Sequence, residues 1–363
     1  MARRRAPPTR ERRRARTPVR REGAQVHLLL MLLSFAGSVF ATRAFLTVTG
    51  YPQMGGGGFH IAHVLWGGLL LFAAAILPLI WGNRWVYRAG AVVSGVGVGL
   101  FIDEVGKFIT ATNDYFFPAA APIVYAFFLL TVLVYLRVRR PKELDARAEL
   151  YAALDGMEEM LDGDLGREER TELLERLRRA EAKSAEPELA RLARALRGFV
   201  ARSRRPRRVE GEGIWARGVR LLLDWEQRFF PRGRYQAALV GGLAGLALLA
   251  LKDPGETLFG ASLPGLFGTF TGRRLGLEAA PRLFALRISL ELAIGLVLIL
   301  AAALVLLGRE KAGLAIGTLA LLLSLTVMNL VVMYFEQFST IVTAAVQLVV
   351  LLGIFRFRAR FPG

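Results

Sequence analysis

Eight stretches of mostly apolar residues recur along this chain, most near the ~20-residue length that a helix needs to cross a hydrocarbon core. They are Val26–Val48, His60–Trp81, Ala89–Thr110, Pro118–Leu136, Gln236–Leu251, Ile288–Leu307, Ala312–Met333 and Phe338–Phe355. They predict an all-α fold, a polytopic transmembrane helical bundle of about eight spans. Between the fourth and fifth spans the pattern changes. Leu150, Leu154, Met157 and Leu161 recur at helical spacing, as do Leu173, Leu174 and Leu177, then Leu189, Leu192, Leu196 and Phe199, the mark of amphipathic helices. Asp155-Gly156, Asp162-Gly163 and Glu186-Pro187 punctuate them. A helical insert is therefore expected. Ile214–Phe230 reads as an amphipathic helix at the membrane surface, with Trp215, Leu222 and Trp225 inward and Arg217, Arg220 and Arg228 outward. The expected division is a basic disordered tail (1–24), a first four-helix half (25–137), the insert with its juxtamembrane helix (138–235) and a second four-helix half (236–363). The run His63-Val-Leu-Trp-Gly67 is similar to Glu291-Leu-Ala-Ile-Gly295, so a diverged duplication of four helices is one reading of the two halves.

Charge orients this bundle. The net charge is +18, and its placement beside span ends fits the positive-inside rule rather than nucleic-acid binding. Alternating spans put Arg84, Arg88, Arg137 to Lys142, Arg309, Lys311 and Arg356 to Arg360 on one side. With that side cytoplasmic, both termini are cytoplasmic, and the expected location is a bacterial cytoplasmic (inner) membrane. The tail, with Arg3, Arg4, Arg5, Arg12, Arg13, Arg14, Arg20 and Arg21, cannot bury a core and suits anionic lipid headgroups. Lys252–Arg287 breaks the charge rule with Arg273, Arg274 and Arg282, and reads as re-entrant or interfacial after a short fifth span. The chain has no cysteine, which excludes disulfides, thiolate catalysis and Cys-ligated metals. Gly55–Gly58 has neither a preceding strand nor a following Gly-Lys-Ser/Thr, so it is no phosphate loop.

One constellation carries candidate chemistry. The third span contains Asp103, Glu104 and Lys107, and the second opens with His60 and His63. A charge at the bilayer centre costs about 2.5–3.5 kcal/mol on insertion scales, so such groups face a protein interior or a water-filled cavity. Residues three or four apart share a helix face. His60, His63 and Gly67 thus line one face, and Gly95, Gly99, Asp103 and Gly106/Lys107 line another, with glycines that permit close helix approach. Together with Asp114, these residues form an expected ligand or proton site in the outward-facing half of the membrane. Arg43, Glu291, Asn329 and Glu336 fall at similar depth. Imidazole and carboxylate are also ligands for a divalent metal such as zinc, for which His60, His63, Asp103 and Glu104 are the candidates. A plain intrahelical ion pair from Lys107 to Asp103 or Glu104 is the competing account. Trp66, Trp81, Trp85, Tyr87, Tyr115 and Tyr334 read as interfacial belt residues.

The segments Phe59-His-Ile-Ala-His-Val-Leu-Trp-Gly-Gly68, Gly99-Leu-Phe-Ile-Asp-Glu-Val-Gly-Lys-Phe108 and Asn113-Asp-Tyr-Phe-Phe-Pro118 resemble an uncharacterised family of bacterial multi-pass membrane proteins. That resemblance covers the first four spans and implies the architecture but no activity. More loosely, the chain resembles membrane hydrolases related to ceramidases, which hold zinc through intramembrane His and Asp. It lacks their paired His motif in a late span.

Three functions remain open at this point. One is an integral membrane protein whose polar site binds a cation or small polar ligand. Another is a metal-dependent membrane hydrolase acting on a lipid or extracytoplasmic substrate. The third is a structural or signalling scaffold acting on a protein partner through the insert.

Overall fold

In a computed structural model, residues 18–50, 62–115, 117–140, 144–162, 165–203, 221, 226–259 and 280–361 are described. His60, Gly55–Gly58, most of the tail, most of the Ile214–Phe230 segment and residues 260–279 of the expected re-entrant connection lie outside them. The described residues are helical, with no strand. Eight helical stretches are long and apolar enough to cross a membrane, and each overlaps one of the eight apolar runs.

The helices are α1 (Ala24–Thr49), α2 (His63–Ile80), α3 (Arg84–Asp103), the short α4 (Val105–Ile109), α5 (Ala120–Arg139), α6 (Ala146–Asp162), α7 (Arg167–Lys183) and α8 (Pro187–Arg202). They continue as α9 (Arg232–Phe259), α10 (Pro281–Leu306), α11 (Glu310–Leu323), α12 (Asn329–Glu336) and α13 (Thr340–Arg360). A π-helical turn, Ser324–Met328, joins α11 to α12, and a 3-10 turn, Gln337–Ser339, joins α12 to α13.

Contacts divide the chain into two units. One comprises the described parts of Met1–Met31, Ala73–Val93 and Val134–Glu212. Its core is the three-helix bundle α6–α8, built on Leu150, Ala153, Leu173, Leu177, Ala180, Ala193 and Val200. Pro187 starts α8 where its missing N–H costs nothing. Arg170 donates to the carbonyls of Val200, Ala201 and Ser203, which have no partner within the ending helix. Asp155-Gly156 does not interrupt α6 as expected, and Leu154 and Leu161 are exposed. Alanines rather than leucines complete this core, so leucine spacing alone misplaced the buried face.

The described end of the basic tail makes contacts within this unit. Arg176 binds Glu22 through two nitrogens (3.0 and 3.1 Å), Arg20 donates to the carbonyls of Val138 and Arg140, and Arg21 pairs with Asp155 while lying over the Tyr87 ring. These tail residues are partnered by protein.

Glu158 in α6 is the misfit of this unit. Its Oε2 has no hydrogen-bond partner among the described residues. Burial, and then the like charge of Asp155, push its carboxyl above the ordinary 4.5. A group whose folded value is raised favours the fold at pH below its unfolded value, and that contribution is lost as pH rises through the folded value. Glu158→Gln is therefore expected to raise the thermal stability of the full chain near neutral pH and leave it little changed near pH 4. Melting curves at the two pH values check this.

The other unit holds the described parts of Leu32–Phe72, Ser94–Leu133 and Gly213–Gly363. One core gathers α9, α10, α11 and α13 around Leu243, Leu298, Leu321 and Ile354. A second joins Phe35, Val39, Ala121 and Val124 to Met333 and Phe338. Two predicted elements change form here. The third span is not continuous: it stops at Asp103, and Glu104 takes φ −93° and ψ 11° before α4 begins, the sparsely populated bridge region. The fifth span is not short: α9 runs 28 residues and passes through Lys252, Asp253 and Pro254. Hydropathy ended it at the first charges, but Asp253 is paired with Arg287 of α10.

Candidate functional site

The break at Glu104 builds the site. A regular helix would bond the Asp103 carbonyl to the N–H of Lys107, but that N–H goes to the Glu104 carbonyl instead (3.0 Å). Arg43 of α1 takes up the freed Asp103 carbonyl through Nη2 (3.1 Å) and binds Asp103 Oδ1 through Nε (2.6 Å). Both side chains are buried, Arg43 at 5 % exposure and Asp103 at 0 %. Tyr115 donates its hydroxyl to Asp103 Oδ2 (2.8 Å), and its ring lies 4.3 Å from the Arg43 guanidinium carbon. Phe338 covers Arg43 at 3.7 Å. Rings on a guanidinium supply the cation–π attraction that a desolvated arginine needs.

Glu104 turns the opposite way, towards α2. Its Oε2 accepts the N–H of Val64 (3.0 Å), one of the first-turn donors that an α-helix leaves unbonded, where a negative charge also meets the positive end of the helix dipole. Its Oε1 accepts from Lys107 Nζ at 2.5 Å. The competing ion-pair account is therefore correct for Glu104 and Lys107 and incorrect for Asp103, whose partner is Arg43.

His63 sits between the two carboxylates. Its Nε2 is 3.2 Å from Asp103 Oδ2, and its Nδ1 is 3.4 Å from Glu104 Oε1. The Tyr115 ring stands edge-on to the imidazole at 6.3 Å. His63 is 16 % exposed and Lys107 23 %, whereas both carboxylates are closed off.

Helix packing sets these distances. Gly97 and Gly99 of α3 point to different neighbours. A Cβ on Gly99 would fall 2.7 Å from the Ser38 Cβ of α1, and one on Gly97 would fall 3.0 Å from the Gly67 carbonyl of α2. The two glycines let α3 approach α1 and α2 at once. Gly97 is missing from the predicted face because it lies two residues off the Gly95–Gly99 stripe.

Of the predicted site residues, His63, Asp103, Glu104 and Lys107 are brought together. Asp114 is exposed, and its backbone packs beneath Gly106. His60 lies outside the described residues. Tyr115 was read as a belt residue and belongs to the site, and Arg43, noted only for its depth, is its main counter-charge.

Three of the four candidate metal ligands, His63, Asp103 and Glu104, are among the described residues. The carboxylate oxygens are already engaged by Arg43, Tyr115, Val64 and Lys107, and among the described residues no group of three or more His, Asp or Glu could hold a metal ion. Compared with known proteins, the chain matches no family model, no curated protein and no solved structure.

Proposed function

We propose that this is an integral protein of a bacterial cytoplasmic membrane, with both termini cytoplasmic, and that the His63 site is outward-facing and binds a cation, the proton being the one its chemistry suits best. One observation carries this reading: both ring nitrogens of His63 face carboxylate oxygens. A neutral imidazole has one donor and one acceptor nitrogen. It would press a lone pair against one of the two carboxylates, so the trio His63, Asp103 and Glu104 favours one proton more than its neutral imidazole brings. Arg43 and Lys107 balance the two carboxylates, and the proton on His63 then sets the net charge of the cluster. Exposure of His63 and Lys107 supplies an exchange route from one side.

The orientation rests on the arginines at helix ends, among them Arg84, Arg137, Arg139, Arg358 and Arg360. Anionic headgroups remain the proposed partners of the basic tail, and a protein that of the insert. Hydrolysis through a metal has less support, because the carboxylates it needs are committed to cations and N–H or O–H donors.

The test is proton counting on chain reconstituted in lipid nanodiscs. The wild type is expected to exchange one proton that His63→Gln does not. Identical titrations of the two would sink the proposal.

A further inference from the structure

The geometry points to a second proton-binding site, in the other half of the chain and independent of His63. Arg287 of α10 is 5 % exposed and binds three carboxylates: Glu291 on its own helix (2.9 Å), Glu336 at the end of α12 (2.6 Å) and Asp253 of α9. Glu291 is 7 % exposed, and its Oε2, a buried carboxylate oxygen, has no hydrogen-bond partner among the described residues. The charged groups that face it are Arg287, Asp253 and Glu336, and above Arg287 lies the apolar ring of Phe335.

An ionised carboxylate buried without a partner is among the costliest arrangements in a protein, and more so inside a membrane span. A proton on Glu291 Oε2 removes that cost and leaves Oε1 to accept from Arg287. Asp253 and Glu336, which are 30 % and 20 % exposed, are less enclosed than Glu291 and form the route by which the proton enters and leaves. The donor set suits a proton rather than a metal ion: the cluster already contains a cation at its centre, and no metal-holding group of His, Asp and Glu occurs among the described residues.

Infrared difference spectroscopy of the full chain in nanodiscs reads this directly. The wild type is expected to show the carbonyl stretch of a protonated carboxyl group that is lost on raising the pH. Glu291→Gln abolishes the band, Glu336→Gln shifts its pH midpoint, and His63→Gln leaves it in place, which separates this site from the first. A band untouched by both glutamine substitutions in this cluster, or no protonated carboxyl at any pH tested, overturns the assignment. So does a melting temperature that follows sodium or potassium at fixed pH and is insensitive to pH, since an alkali cation would then occupy the proton's place.

Discussion

Asp103→Ala is expected to be the most damaging single substitution in the described polar network, costing about 3–5 kcal/mol, the range measured when one partner of a buried ion pair is removed. Arg43 and Tyr115 donate to this carboxylate, His63 Nε2 lies 3.2 Å from it, and no part of it reaches solvent. Its loss strands the Arg43 guanidinium between two aromatic rings with no counter-charge. Screening gives no relief, because both partners are buried. Asp103→Asn keeps two acceptor lone pairs and is expected to cost less. The double substitution Arg43→Met with Asp103→Leu is expected to recover most of the loss, because an apolar pair of similar volume often matches a buried ion pair in stability. Denaturant titration of the four proteins in lipid or detergent closes the cycle. A loss below about 1 kcal/mol for Asp103→Ala would mean that Arg43 reaches water, and the enclosed site described above would be wrong.

Gly67→Ala is the second large effect, and it acts through position rather than charge. A Cβ at Gly67 would fall 2.7 Å from the Phe101 backbone nitrogen and 2.9 Å from the Gly97 carbonyl. Backbone atoms of a packed helix cannot swing aside as a side-chain tip can, so α2 and α3 must separate. Overpacking of this kind costs typically about 1–3 kcal/mol. His63 lies one turn before Gly67 on the same helix face, so the separation draws the imidazole away from Asp103. The neighbouring Gly68 has nothing within 4 Å of its own added Cβ, and Gly68→Ala is expected to be neutral, or slightly favourable through helix propensity. The pair is a matched control: same residue, same helix, opposite outcome. Unfolding measurements together with His63 proton counting should show Gly67→Ala losing both stability and the exchanged proton, while Gly68→Ala loses neither. Equal behaviour of the two would remove the close helix contact as the element that positions His63.

Much of this was legible in the sequence, for a plain reason. Hydrocarbon tolerates few polar groups, so uninterrupted apolar runs marked the eight helices, and ionisable residues inside those runs marked His63, Asp103, Glu104 and Lys107. What escaped detection lay where that contrast fades. Arg43 and Tyr115 sit towards span ends, where arginine and tyrosine are ordinary, and only their three-dimensional partners distinguish them. Arg287 and Asp253 were hidden in the same way: each falls just outside the hydropathy boundary of its span, because each supplies the charge that lets the other enter. The kink at Glu104 has no proline to announce it; tertiary bonds from Arg43 to Asp103 and from Val64 to Glu104 hold it open. In the seventh span, the π-helical turn presents the Leu325 carbonyl to the Tyr125 hydroxyl at 2.6 Å, another demand made by a neighbour and invisible to local pattern.

The short turn after α12 has one more implication. Gln337 is buried and adopts φ +50° and ψ −130°, a conformation costing a non-glycine residue on the order of 1–3 kcal/mol. On one side of it Glu336 is fastened to Arg287, and on the other Phe338 lies against Arg43. Three consecutive residues thus tether the charged centre of one half to that of the other, with a bent spring as the middle link.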